Sequence, residues 1–85
     1  MRPTEYAALD AYRLEKDWTW PQLAAAMAEA GAPISSRTLY LLLKSDHAGY
    51  DRTLHKVRRF LAHVRATDTA AFERAGAFTA GDAHA

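Results

Sequence analysis

The sequence predicts an all-α fold of four or five helices. Three observations predict it. Apolar residues recur at helical spacing along successive segments, most clearly at Leu54, Val57, Phe60, Leu61 and Val64. No stretch alternates apolar and polar residues at the period of a strand. Cap and breaker residues punctuate the segments: Thr19, Ser35, Ser36 and Asp51 at starts, Gly31 and Pro33 at a stop.

The first helix is expected over 4–17, capped by Thr4, with Glu5 complementing the dipole in its first turn. Tyr6, Leu9 and Tyr12 share one side and Ala7, Ala11, Leu14 and Trp18 the other. A helix apolar on two sides is sandwiched in a core or has one side in a subunit contact. The second helix, 20–30, opens with a Thr19-x-x-Gln22 capping box and tolerates Pro21 in its first turn. Leu23, Ala24, Met27 and Ala28 form its inward face, and Gly31 followed by Pro33 ends it.

Ser35 or Ser36 caps a third helix, 36–45. At about 100° per residue, Ser35, Leu39, Leu42 and Leu43 turn inward, while Arg37, Tyr40, Leu41 and Lys44 turn outward. Ser45 to Gly49 reads as a loop. Asp51 caps a fourth helix, 52–66, whose apolar stripe is opposed by Arg52, Lys56, Arg59 and His63. A short helix over 69–75 ends at Gly76, and the Ala/Gly/Thr-rich tail 77–85 is expected to fray.

At 85 residues, the chain is expected to be one small domain with a marginal core, to which helix caps and a partner subunit would contribute. It has no cysteine, which excludes disulfides and thiolate metal sites and fits a cytoplasmic setting. No stretch approaches the ~20 apolar residues of a membrane span, and the polar start of the chain carries no signal-peptide pattern. The net charge of +1 is unevenly spread. Residues 1–34 carry −2, residues 35–65 carry +5 and residues 66–85 carry −2. A positive centre of this kind is the footprint of a polyanion partner.

The segment from Ala24 through Gly31, Ile34-Ser35 and Thr38-Leu39 to Leu42 resembles the helix-turn-helix of small phage and plasmid regulators of the Cro/repressor type. The likeness covers about a third of the chain. Apolar residues (Leu23, Ala24, Met27, Ile34, Leu39 and Leu42) can lock two helices at a steep angle, leaving the second to enter a major groove. The sequence departs from the standard motif in one respect. Three residues normally separate the small alanine from the corner glycine; here the interval runs from Ala24 to Gly31, so the second helix is longer or the corner looser.

By position, the resemblance makes Ser36, Arg37, Tyr40, Leu41 and Lys44 the base-reading residues. Arg37 suits the guanine O6 and N7 edge and Leu41 a thymine methyl. Tyr40 and Lys44 suit phosphate or a base edge, and Ser36 a phosphate at the helix N-terminus. Thr19 and Gln22 are further phosphate candidates, as are Arg52, Lys56 and Arg59 on the fourth helix. The implied function is sequence-specific binding of double-stranded DNA by a non-enzymatic transcriptional repressor or autoregulator. It would act as a homodimer on a short palindromic operator. Residues 1–67 would form this domain, and 68–85 a short helix and tail. The dimer contact would use the two-sided first helix or the segment after Val64.

Each residue also has a plainer reading. Leu41 suits a subunit contact as well as a base, Tyr40 suits packing on aromatic neighbours, and the basic stripe of the fourth helix suits a solvated face. Trp18 and Trp20 suit a wedge at the junction of the first two helices. The apolar run Leu39 to Leu43 keeps a second reading open: a protein-interaction module, or part of a phage packaging or recombination complex. RNA binding lacks the exposed aromatic platform of single-strand readers. His47, His55, His63 and His84 include no i, i+4 pair, so no metal site is expected. No phosphate loop or convergent Ser/His/Asp set points to catalysis, and no cofactor or small-molecule substrate is implied.

Overall fold

The computed structural model describes residues 4–44 and 51–76. They form five helices: α1 (Thr4–Lys16), α2 (Trp20–Glu29), α3 (Ser36–Lys44), α4 (Asp51–Thr67) and α5 (Thr69–Arg74). No strand occurs among the described residues. The predicted loop 45–49 and the tail 77–85 lie outside them.

The helix ends follow from local chemistry. Thr19 caps α2 reciprocally: its hydroxyl accepts from Gln22 N at 3.3 Å, and Gln22 Oε1 accepts from Thr19 N at 2.8 Å. At the other end Gly31 adopts φ +81°. Ala32 N then donates to Met27 O at 2.9 Å and Gly31 N to Ala28 O at 3.1 Å. This pair of bonds is a Schellman motif, and Ala32 and Met27, both buried, close it with an apolar contact position. The end of α1 repeats the arrangement one helix earlier. Trp18 N donates to Arg13 O and Asp17 N to Leu14 O, both at 3.1 Å, around Asp17 at φ +57°. The helix therefore stops at Lys16, one residue before the expected end.

Of the two serines at the corner, Ser35 is the cap of α3. Its Oγ accepts from Thr38 N at 3.2 Å, and Leu39 N donates to Ser35 O at 3.0 Å. Capping holds Ser35 at the surface, which corrects its expected place on the inward face. Residues 30–35 separate α2 from α3, more than the roughly three- or four-residue turn of the compact motif. The corner is looser than the resemblance implies.

The core gathers Tyr6, Leu9 and Tyr12 of α1, Leu23 and Met27 of α2, Leu39 and Leu42 of α3, and Val57, Phe60 and Val64 of α4. Tyr12 sits at its aromatic centre, edge-on to Trp18 (5.7 Å) and Phe60 (6.1 Å) and tilted against Phe72 (6.5 Å). Ala71 and Phe72 bring α5 into this same core, so the short helix is part of the domain rather than an appendage to it. Only one side of α1 enters the core: Leu14 is 60% exposed and Ala7 lies at the surface, so the helix is not sandwiched. Ala28, expected inward, is exposed as well. Among the described residues no helix is long and apolar enough to cross a membrane, and no group of His, Asp or Glu side chains could hold a metal ion.

Candidate nucleic-acid interface

α3 presents an exposed stripe one helical face wide. Leu39, Leu42 and Leu43 are buried, which turns Arg37, Tyr40, Leu41 and Lys44 outward together. Tyr40 is 51% and Leu41 40% exposed. Ser36 and Arg37 stand in the first turn, where backbone N–H groups lack intrahelical acceptors.

The N-terminal end of α3 is flanked by the basic stripe of α4. Lys56 Nζ donates to Pro33 O at 3.0 Å, which ties α4 to the corner. A methyl placed on Gly31 would lie 3.7 Å from Arg59 Nη2, so that guanidinium also lies along the corner. Between the two helices runs an open groove of about 620 Å³, lined by Ile34, Ser35, Thr38, Arg52, Thr53 and Lys56 among others. Ion pairing separates these cations from the rest. Arg58 is held by Glu5 (2.9 Å), Arg74 by Glu15 (2.7 Å) and Lys16 by Asp68 (3.0 Å). No described carboxylate pairs with Arg37, Arg52, Lys56 or Arg59. Arg37, Arg52, Lys56 and Arg59 thus gather positive charge around the start of α3.

The C-terminal end of the stripe is built differently. Trp20, the first residue of α2, meets the Tyr40 ring edge-on at 5.5 Å and 89°. Arg13 Cζ lies 3.9 Å over the Trp20 ring, and Arg13 Nη1 donates to Trp18 O at 2.9 Å. Asp10 pairs with Arg13 Nε at 3.1 Å and with Lys44 Nζ at 3.8 Å. Tyr40 and Lys44 are therefore positioned by α1 and the start of α2.

The structure brings Ser36, Arg37, Tyr40, Leu41 and Lys44 onto one surface and sets Arg52, Lys56 and Arg59 beside its N-terminal end. Thr19 and Gln22 are exposed near Trp20, with their acceptor oxygens engaged in the capping box and the Gln22 amide N–H₂ outside it. Sequence reasoning missed Asp10 and Arg13. Their i, i+3 spacing signals a local pair, but nothing local signals that the pair faces α3. Compared with known protein families, characterised proteins and solved structures, the chain finds no match.

Proposed function

We propose that the protein is a sequence-specific binder of double-stranded DNA that acts as a transcriptional repressor or autoregulator. α3 would lie in the major groove as the reading helix. The observation that carries this reading is the separation of charge. Arg37, Arg52, Lys56 and Arg59, with which no described carboxylate pairs, surround the start of one exposed helix, where phosphate contacts would fix its register. Arg37 in the first turn is the residue of choice for a guanine edge, and Leu41 for a thymine methyl. Arg52, Lys56 and Arg59 would follow the backbone, joined by Gln22 and Thr19 at the start of α2. A single reading helix covers a half-site, so a homodimer on a short inverted repeat completes the proposal.

The test is a mobility shift on the DNA upstream of the protein's own gene, with and without non-specific competitor, at two salt concentrations. The expected result is a competitor-resistant complex that weakens steeply with salt, because each neutralised phosphate releases counterions. A second reading, a protein-interaction module, is favoured by the exposed Tyr40 and Leu41. It predicts no such complex, and a partner contact little affected by salt.

A further inference from the structure

We propose that Asp10 is a specificity-determining residue of this interface: its carboxylate competes with DNA phosphate for the Lys44 ammonium and so weakens sequence-independent binding. The inference rests on reading α3 as a DNA-reading helix.

Asp10 is held where it can act. Its Oδ1 receives Arg13 Nε at 3.1 Å, and the Arg13 side chain is only 11% exposed. Arg13 is in turn fixed by the Trp18 carbonyl at 2.9 Å and the Trp20 ring at 3.9 Å. The carboxylate is therefore anchored on one oxygen and offers the other, Oδ2, to Lys44 at 3.8 Å. Lys44 is the more exposed partner, with a side chain 44% exposed and, among the described residues, the Trp20 ring at 6.0 Å as a further contact. An exposed ammonium in a long ion pair with an anchored carboxylate exchanges readily, so a phosphate that approaches it competes with Asp10 for the same charge.

The consequence is an asymmetry along α3. At its N-terminal end Arg37, Arg52, Lys56 and Arg59 attract any duplex. At its C-terminal end the Lys44 charge is already answered, and a phosphate approaching it must displace Asp10. Sequence-independent affinity counts cations that neutralise phosphate, each adding about 0.9 to the slope of log K against log salt. Lys44 paired with Asp10 contributes only part of that increment. Binding that leaves Lys44 paired is held by the N-terminal end alone, and the full contact forms only when the helix is seated well enough to exchange the pair.

The experiment is fluorescence anisotropy with a labelled duplex of random sequence, over a range of KCl, for the native protein, Asp10→Asn, Lys44→Gln and the double variant. Asparagine keeps an acceptor oxygen for Arg13, so the local packing persists. Asp10→Asn is expected to bind random duplex up to about fivefold tighter, the range of an exposed ion pair, with a slope steeper by up to about 0.9. Lys44→Gln should lower the slope by about 0.9 in the Asp10→Asn background and by less than half as much in the native one. Unchanged affinity and slope in Asp10→Asn, or equal effects of Lys44→Gln in both backgrounds, would overturn the proposal while leaving DNA binding intact. A native protein that binds no duplex at low salt overturns the DNA reading and this inference with it.

Discussion

Tyr12 ties together four parts of the chain, α1, the α1–α2 junction, α4 and the segment that opens α5. Its ring touches Trp18, Phe60 and Phe72, and its hydroxyl donates to Asp68 Oδ2 at 2.7 Å across 56 residues of sequence. Lys16 Nζ reaches the same oxygen at 3.0 Å. Burial, reinforced by the Asp68 carboxylate, pushes the Tyr12 phenol well above its ordinary range. The Tyr12 hydroxyl, then Lys16, holds the Asp68 carboxyl below its own. Tyr12→Phe keeps the ring and removes the bond, and should cost about 1 kcal/mol in urea unfolding at neutral pH. The signs of the two shifts set the pH dependence. The Asp68 contribution is complete above the ordinary carboxylate value of about 4 and is lost as pH falls through the lowered value. The Tyr12 contribution is complete below about pH 10 and is lost as pH rises beyond it, because the unfolded phenol ionises first. Tyr12→Phe should flatten the alkaline loss and reduce the acid loss; a profile parallel to that of the native protein would contradict this assignment.

At the scale of elements, the two Schellman ends differ in one residue. Gly31 occupies its left-handed position without strain, whereas Asp17 adopts φ +57° with a side chain. Gly31→Ala should therefore destabilise by about 1 to 2 kcal/mol, the cost of a Cβ in that region. The neighbouring space accepts the methyl, with the nearest contact at 3.7 Å, so backbone conformation alone sets the sign. Asp17→Gly should stabilise, by up to about 1 kcal/mol. Thermal unfolding of both variants checks the pair, and a loss of stability in Asp17→Gly would show that the Asp17 side chain does more than tolerate its position. These ends also mark what was legible in the sequence. Gly31, Pro33 and the Thr19–Gln22 box announce their roles because each residue type is suited to one local geometry. Asp17 announces nothing, since aspartate is common at every kind of surface position. The outward stripe of α3 was legible because helical periodicity alone turns Arg37, Tyr40, Leu41 and Lys44 together. The exposure of Leu14 was not, because apolarity does not say which of two faces finds a neighbour. Asp10 and Arg13 escaped for a related reason: their role depends on α1 crossing α3, a tertiary fact with no local period.

At the scale of the whole molecule, the excess positive charge of residues 35–65 becomes a placed feature only once the ion pairs are known. Glu5, Glu15 and Asp68 neutralise Arg58, Arg74 and Lys16. Arg37, Arg52, Lys56 and Arg59, with which no described carboxylate pairs, stand around the corner that joins α2 to α3. The sequence map located the charge in the right third of the chain, but it could not separate Arg58, which is paired, from Arg59, which follows it. Among these cations Arg37 is decisive. Arg37 is exposed, stands in the first turn of α3 and has no described carboxylate partner. The direct test is the affinity of native protein and Arg37→Ala for a duplex selected by the native protein and for a duplex of random sequence at the same salt. Arg37→Ala is expected to lose about 1 to 3 kcal/mol on the selected duplex, the worth of a good bidentate base contact, and much less on the random one. Equal affinities for the selected duplex would contradict this role and return Arg37 to the solvated surface.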